Sequence, residues 1–466
     1  MRAVLGVPAV IAALVVGVLV SSAGVAAALP TGSSDGSSGS SSGSAGGSSD
    51  GYPAFYRTPT GPLPPAGTLI RAQPMPTFLT LPTSSGPVPA KATRIMYSST
   101  DANNHLVAVT GYFLQPARQA AGPRKIVAYG PGAHGQGDQC APSRVLESIN
   151  LAPPGGPMAE IESLITYTMV AKGYSVVSTD YMGLGTPGVH TFGVRVDQAN
   201  AVIDSARAVF GLPEVRDDSK VALAGYSQGG GAVAAAAEQL PTYAPDLASK
   251  VVGIYAGGIP ANLRSLLNFL DGHRFGGMVG LTINGLMARY PDMAREIRPL
   301  LNPFGTGLLD TMSNFCLVGV SALGSPQSRF WTKSLRPVGY LVDTHPDIRK
   351  RVAEQTVGLR RPMDVPVLIS SNPVDPTVPM SQGDVLFRMW CGTHPKSLEY
   401  RRINFPIIGR TTFGHVAGGV AAYNEIFFWL KDRFDGKPTI PGCRNRPGIT
   451  NGMFAGTGSS NSSTGS

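Results

Sequence analysis

The chain has no C-x-x-C pair, no cysteine and histidine spacing of the kind that holds zinc, and no G-x-x-x-x-G-K-S/T loop. The first absences leave a metal site without support, and the last removes the phosphate cradle of nucleotide-binding proteins. Neither a cofactor nor a metal is expected. Cysteine itself is scarce: Cys140, Cys316, Cys391 and Cys443 are the only four in 466 residues. In an exported chain they are expected to form two disulfides, with three pairings open. There is also no dense basic run. The 38 basic and 29 acidic residues leave a net charge of +9, but the tightest clusters are only Arg349-Lys350-Arg351, Arg360-Arg361 and Arg401-Arg402. Such clusters read as solvated surface, so no nucleic-acid partner is expected. A weak attraction to anionic lipid or envelope surfaces is compatible with the excess.

Long apolar runs are confined to the start. Met1 and Arg2 precede an apolar stretch from Ala3 to Val20, and the small residues Ala23 to Ala28 offer an A-x-A site at Ala26 and Ala28. Residues 1–28 therefore read as a secretory signal peptide cleaved near Ala28. An uncleaved anchor is the alternative, since about 18 apolar residues is near a spanning length. Residues 29–51 are almost entirely Ser and Gly and are expected to form a flexible tether. The tail, residues 444–466, has a similar composition and is expected to be loose.

Between these ends the pattern is α/β. Ala92 to Ser98 and Leu106 to Leu114 flank a turn-forming cluster, Asp101 to Asn104, and predict an antiparallel hairpin. Short apolar runs then alternate with helical stretches: Lys125 to Tyr129, Tyr174 to Thr179, Lys220 to Gly225, Lys250 to Ala256, Val365 to Ser370 and Glu399 to Phe405. Runs of this kind suit strands buried on both faces of a mostly parallel sheet. Helices are predicted over Ile161 to Lys172, Asp197 to Phe210, and Gln228 to Leu240, the last stopped by Pro241. Residues 260–334 break the alternation with helix-like pieces, Asn262 to Leu270, Met278 to Met287 and Met293 to Leu301. They predict a helical cap inserted between core segments 52–259 and 335–443, with Leu, Met and Phe side chains available to line an apolar cavity.

A search for G-x-S-x-G finds Gly225-Tyr226-Ser227-Gln228-Gly229, but also three matches in the tether, Gly32 to Gly36, Gly39 to Gly43 and Gly47 to Gly51. Only the Ser227 match follows an apolar strand and opens a helix, which is the context a nucleophilic serine needs. A serine at the tip of so sharp a turn requires small neighbours two before and two after, and Gly225 and Gly229 provide them. The turn aims the Gln228 backbone N–H at the place where an ester carbonyl would become an oxyanion. A second donor is expected from the loop Gly130 to Asp138, with Gly135 favoured over His134.

In this fold class the order is serine, acid, histidine. His105, His134 and His190 precede the serine, and His273 falls in the cap. His415 follows the last predicted strand, in a loop before the apolar helix Val420 to Leu430, whereas His345 and His394 precede strands at their wrong ends. Asp375 lies in the turn leaving the strand Val365 to Ser370, with Asp384 its rival. Ser227, Asp375 and His415 thus form the predicted catalytic set for acyl transfer.

These residues resemble the secretory lipase family, α/β-hydrolases that include the fungal lipase A enzymes, across about Leu63 to Cys443. The matching features are Gly-Gln-Gly-Asp-Gln-Cys-Ala-Pro-Ser ending at Ser143, Thr179-Asp180-Tyr181-Met182-Gly183-Leu184-Gly185, the G-Y-S-Q-G-G turn, Pro373-Val374-Asp375 with Val378-Pro379, and His415. The resemblance implies hydrolysis of triacylglycerols or other carboxylic esters, a cap after the serine, and disulfides joining Cys140 to Cys316 and Cys391 to Cys443. Fungal members carry an acidic residue where this chain has its Gly-rich loop, so a backbone oxyanion donor is expected here. The implied partner is a lipid or small ester. A short-chain carboxylesterase and an envelope acyltransferase use the same three residues and are the alternatives.

Overall fold

The computed structural model describes residues 52–76, 82–83, 86–87, 90–118, 122–147, 162–323, 326–404 and 413–450. The expected signal peptide and tether, residues 1–51, lie outside them, as do residues 451–466 of the tail.

Ten strands form one sheet: β1 (Leu69–Met75), β2 (Ala90–Thr100), β3 (Leu106–Pro116), β4 (Lys125–Gly130), β5 (Ser175–Thr179), β6 (Lys220–Tyr226), β7 (Val251–Gly257), β8 (Val367–Ser371), β9 (Ser397–Asn404) and β10 (Gly442–Thr450). Their order is β1-β2-β3-β5-β4-β6-β7-β8-β9-β10. Strands β1, β2 and β3 pair antiparallel, and β3 also meets β5 antiparallel. From β5 to β10 every pairing is parallel. The chain runs from β4 outward to β5 and then returns to β6 on the other side of β4. The resulting crevice at the carboxyl ends of β4 and β6 is where open α/β sheets accept ligands.

Period-two alternation sorts the strand side chains onto two faces. On β6, Val221 and Leu223 join a core that includes the Ala-rich helix Gln228–Tyr243 and the helix Arg195–Ala208. Ala222 and Ala224 point the other way, into a core with Ile426, Trp429 and Leu430 of the helix Phe413–Phe434. Both faces are apolar, which explains why these strands read as continuous hydrophobic runs. Truncating a fully buried residue such as Leu223 to Ala is expected to cost about 2–5 kcal/mol.

Three expectations need correction. Pro241 does not stop its helix, which continues to Tyr243. Proline removes the N–H that would bond the Ala237 carbonyl, and the Met363 N–H takes that place at 2.8 Å. The helical insertion does not end at residue 334. Helices Val338–Thr344 and Pro346–Ala353 follow, and Val338, Leu341, Val342, Ile348 and Val352 bury in the same core as Leu263, Leu266 and Leu267. The tail is not loose from its start, because residues 444–450 continue β10, paired in parallel with β9. The Cys391–Cys443 disulfide fastens this edge strand to the helix Ser381–Cys391.

Candidate active site

Ser227 sits between β6 and the helix Gln228–Tyr243 with φ 60° and ψ −124°. A non-glycine residue at positive φ is strained, and the surroundings must hold it there. The Ser227 N–H donates to the Gly257 carbonyl at 3.0 Å, and its own carbonyl accepts from Gly231 N–H at 3.0 Å. The flanking glycines are sterically required. A Cβ on Gly229 would lie 1.8 Å from the Gly130 carbonyl oxygen, and one on Gly225 would lie 2.4 Å from the Gly229 carbonyl oxygen.

His415 bridges the other two predicted residues: its Nε2 is 2.8 Å from Ser227 Oγ, and its Nδ1 is 2.6 Å from Asp375 Oδ2. Asp375 is buried, and its Oδ1 accepts the backbone N–H groups of Thr377 at 2.8 Å and Val378 at 2.9 Å. Those bonds fix one carboxylate oxygen, and the other meets the imidazole and, at 3.5 Å, the donating Tyr226 hydroxyl. Asp384 takes no part, since it begins the helix Ser381–Cys391 and pairs with Arg402 at 3.7 Å.

His415 was expected in a loop, but it belongs to the first turn of the helix Phe413–Phe434. That turn is joined to the acid by Asn372, whose Nδ2 donates to the Gly414 carbonyl at 2.9 Å. Tyr226 lies against the imidazole, with ring centroids 5.2 Å apart. Sequence reasoning overlooked both residues, although each is within three positions of a predicted site residue.

Of the two residues expected as oxyanion donors, Gln228 opens its helix beside Ser227. Gly135 does not line the site. Its φ is 107°, and a Cβ there would meet the Phe315 carbonyl oxygen at 2.3 Å, so it is pressed against the cap. The loop residue that lines the cavity with Ser227 and Gln228 is Ala133. Its neighbour Gly132 donates its N–H to Glu162 Oε2 at 2.8 Å, and Tyr129 OH donates to the other oxygen of that carboxylate at 2.9 Å. The loop is also anchored by Tyr181, whose OH donates to the Pro131 carbonyl at 2.8 Å.

Another buried histidine, His190, borders the turn that carries Ser227. His190 Nε2 lies 2.9 Å from Gln228 Nε2, and its Nδ1 lies 3.1 Å from the Met182 carbonyl. The carbonyl can only accept, so the proton sits on Nδ1 and Nε2 receives the Gln228 amide. Burial pushes the imidazole pKa down to about 4 and keeps this tautomer neutral. Gln136 extends the network, donating to the carbonyls of His190 at 2.9 Å and of Leu281, in the cap, at 3.0 Å.

The cavity over Ser227 Oγ is apolar, with Phe192, Leu263, Leu267, Leu270, Met278 and Val378 in its wall. Cys140, just after the oxyanion loop, is bonded to Cys316 of the cap. Among the described residues, no cluster of His, Cys, Asp or Glu could hold a metal ion.

A strained serine at a strand-to-helix turn, a bridging histidine and a cavity on a mostly parallel sheet define an α/β-hydrolase. The secretory lipase family model matches residues 155–442, and the chain belongs to that family. It is 29% identical to Lipase 2 of Candida albicans over 352 residues, 73% of this chain and 72% of that one. It is 26% identical to a secreted triacylglycerol lipase of Malassezia globosa over 320 residues, 68% of this chain and 67% of that one. The fold matches Candida antarctica lipase A in its closed state with a TM-score of 0.70 at 24% identity, covering 84% of this chain and 87% of that chain. A rice cell wall degrading esterase from Xanthomonas oryzae matches with a TM-score of 0.64 at 15% identity, covering 80% of this chain and all of that one. The protein is a carboxylic ester hydrolase.

Proposed function

We propose that the chain is an exported triacylglycerol lipase, its leader removed near Ala28, that cleaves acyl esters through Ser227, His415 and Asp375. The observation that carries this reading is the position of His415, within hydrogen-bond distance of both Asp375 Oδ2 and the Oγ of Ser227, which lines an apolar cavity. Ser227 Oγ attacks the ester carbonyl carbon while its proton passes to His415 Nε2. Asp375 accepts the Nδ1–H, which sets the tautomer and stabilises the imidazolium. The oxyanion meets the Gln228 N–H at the positive end of its helix, together with the Ala133 N–H. His415 then protonates the departing alcohol. Water attacks the acyl carbonyl carbon and gives a proton to His415, which returns it to Ser227 Oγ as the bond from that oxygen to the acyl group breaks and the acid leaves.

One observation favours a second reading, a carboxylesterase for short acyl chains. The cavity is small, about 60 Å³, against the several hundred Å³ usual for sites that enclose a large ligand. Leu263, Leu266, Leu267 and Leu270 of the helix Leu263–Leu270 line it. Hydrolysis rates over p-nitrophenyl esters of increasing chain length, with Ser227→Ala as the blank, separate the two. The lipase reading expects rates that hold or rise with chain length and an inactive blank. A sharp preference for acetate would transfer the assignment to the esterase, and full activity in Ser227→Ala would overturn both.

A further inference from the structure

The cap carries a cationic and aromatic surface that takes no part in the site. Two segments build it. Asn302 Nδ2 donates to the Phe330 carbonyl at 2.9 Å, the Asn302 N–H donates to the Trp331 carbonyl at 2.9 Å, and the Lys333 N–H donates to the Leu300 carbonyl at 2.9 Å. These bonds hold residues 298–304 against residues 328–333. Phe304 is 56% exposed, Phe330 47%, Leu335 63% and Tyr340 45%, so four large apolar side chains stand in water within one small region. Singly they would need no explanation, but a cluster marks an interaction surface. Leu335 is also held at φ 55°, a strained conformation for a bulky residue. The turn is pinned from beneath by Thr332, whose Oγ1 donates to the Arg336 carbonyl at 2.7 Å.

Charge supplies the second observation. Arg329 lies over the Phe330 ring at 4.8 Å and Arg336 over the Tyr340 ring at 5.3 Å, while Arg298 and Lys333 are exposed beside them. From Arg298 to Tyr340 the sequence has one acidic residue, Asp310. Among the described residues none of these four cations forms an ion pair, whereas arginines elsewhere on the surface do, as in Arg216–Asp218, Arg264–Asp343 and Arg361–Asp364. A protein partner that buried this patch would need carboxylates matched to four basic side chains, one of which, Lys333, already donates to the Pro299 carbonyl at 2.8 Å. A lipid surface carrying anionic headgroups matches them without fixed geometry, because long basic side chains lie along apolar groups and place their charges at headgroup level.

We propose that Phe304, Phe330, Leu335 and Tyr340, with Arg298, Arg329, Lys333 and Arg336, form a docking surface for anionic lipid. The surface is joined to a helix that lines the cavity. Tyr340 lies on the helix Val338–Thr344, and a Cβ on Gly339 of that helix would meet Asn268 Oδ1, on the helix Leu263–Leu270, at 2.1 Å. Docking here sets the cap against the lipid surface.

The test measures partitioning of the full chain onto phosphatidylcholine vesicles with and without phosphatidylglycerol, in the Ser227→Ala background so that no lipid is consumed. Adsorption is thereby scored independently of catalysis. The chain is expected to prefer the mixed vesicles and to be released by salt. Combined substitution of Arg329→Gln, Lys333→Gln and Arg336→Gln should lower that partitioning about 100-fold, each basic side chain near an anionic surface contributing about 1 kcal/mol. Phe330→Ser with Leu335→Ser should lower binding to both kinds of vesicle. In the active chain, all five substitutions should leave hydrolysis of a soluble acetate ester unchanged. Equal binding to neutral and anionic vesicles, or undiminished binding after the triple substitution, would overturn the proposal. So would dissociation of a solution dimer by the same substitutions, which would make this a self-association face.

Discussion

Two glycine-rich turns meet at Ser227, and their glycines answer to different neighbours. In the turn that carries the serine, Gly229 abuts the Gly130 carbonyl and Gly230 the Gly257 carbonyl, both at the carboxyl ends of sheet strands. In the loop after β4, Gly135 abuts Phe315 and Gly137 abuts Asn314, both in the cap. The serine is therefore located by the sheet, and the far part of the loop after β4 by the insertion. The Cys140–Cys316 bond reinforces the second attachment and has no counterpart at the first. Proton relay and oxyanion stabilisation are expected to be separable by mutation, because they hang on different parts of the molecule.

The largest effect belongs to the sheet side. Asp375→Asn removes the acceptor that sets the His415 tautomer and should reduce kcat for a soluble ester by about 10⁴-fold with little loss of folded protein. Steady-state rates together with a melting curve check this. Next is Gly229→Ala. Its Cβ would stand 1.8 Å from a strand carbonyl that cannot give way, so a loss of about 4 kcal/mol or more is expected, read as a fall in Tm or in soluble yield.

On the cap side, replacing Cys140 and Cys316 together by Ser should cost about 2–5 kcal/mol in chemical denaturation. Hydrolysis should fall with it if the cap positions the loop. Unchanged kcat in a destabilised variant would break the comparison.

The smallest expected effect is at His190. Its folded-state pKa is pushed down to about 4 from 6.5, so between those values the unfolded chain binds a proton that the folded chain refuses. The contribution to stability is present in full above 6.5 and is lost as pH falls toward 4, by on the order of 3 kcal/mol. His190→Phe should flatten the pH dependence of stability across that window. It should also lower kcat rather than raise KM, since Gln228 loses the acceptor that orients the start of its helix. Urea unfolding and kinetics at matched pH provide both readings.

Much of the site was legible because it obeys chain order. The apolar run of β6, the Ala-rich helix after it and the turn leaving β8 are local patterns, and Ser227 and Asp375 follow from them. His415 was legible as a residue but not as part of a helix, because Gly414, Gly418 and Gly419 look like loop. A Cβ on Gly418 would lie 2.8 Å from Asn372 Nδ2, and one on Gly419 would lie 3.1 Å from the Tyr226 ring. Those glycines let a helix approach the acid turn, a reason that exists only once three distant segments meet.

Gly135 misled for the opposite reason. A glycine beside a catalytic serine suggests an open N–H, but this one makes room for Cys316. The network of Gln136, His190, Gln228 and Leu281 joins residues up to 145 positions apart, and no local pattern announces it. Strand β10 was hidden because its Arg, Asn and Gly composition is that of a loose tail. Pairing with β9 and the tie at Cys443 outweigh that composition.

The proposed mechanism requires a single serine to carry the acyl group. Treating the full chain with a p-nitrophenyl alkylphosphonate, then following ester hydrolysis and mapping the adduct by peptide mass spectrometry, tests it directly. One phosphonyl group per chain on Ser227, accumulating in step with the loss of activity and absent from Ser227→Ala, is the predicted result. Labelling at another residue with activity lost, or full labelling of Ser227 with activity retained, would contradict it.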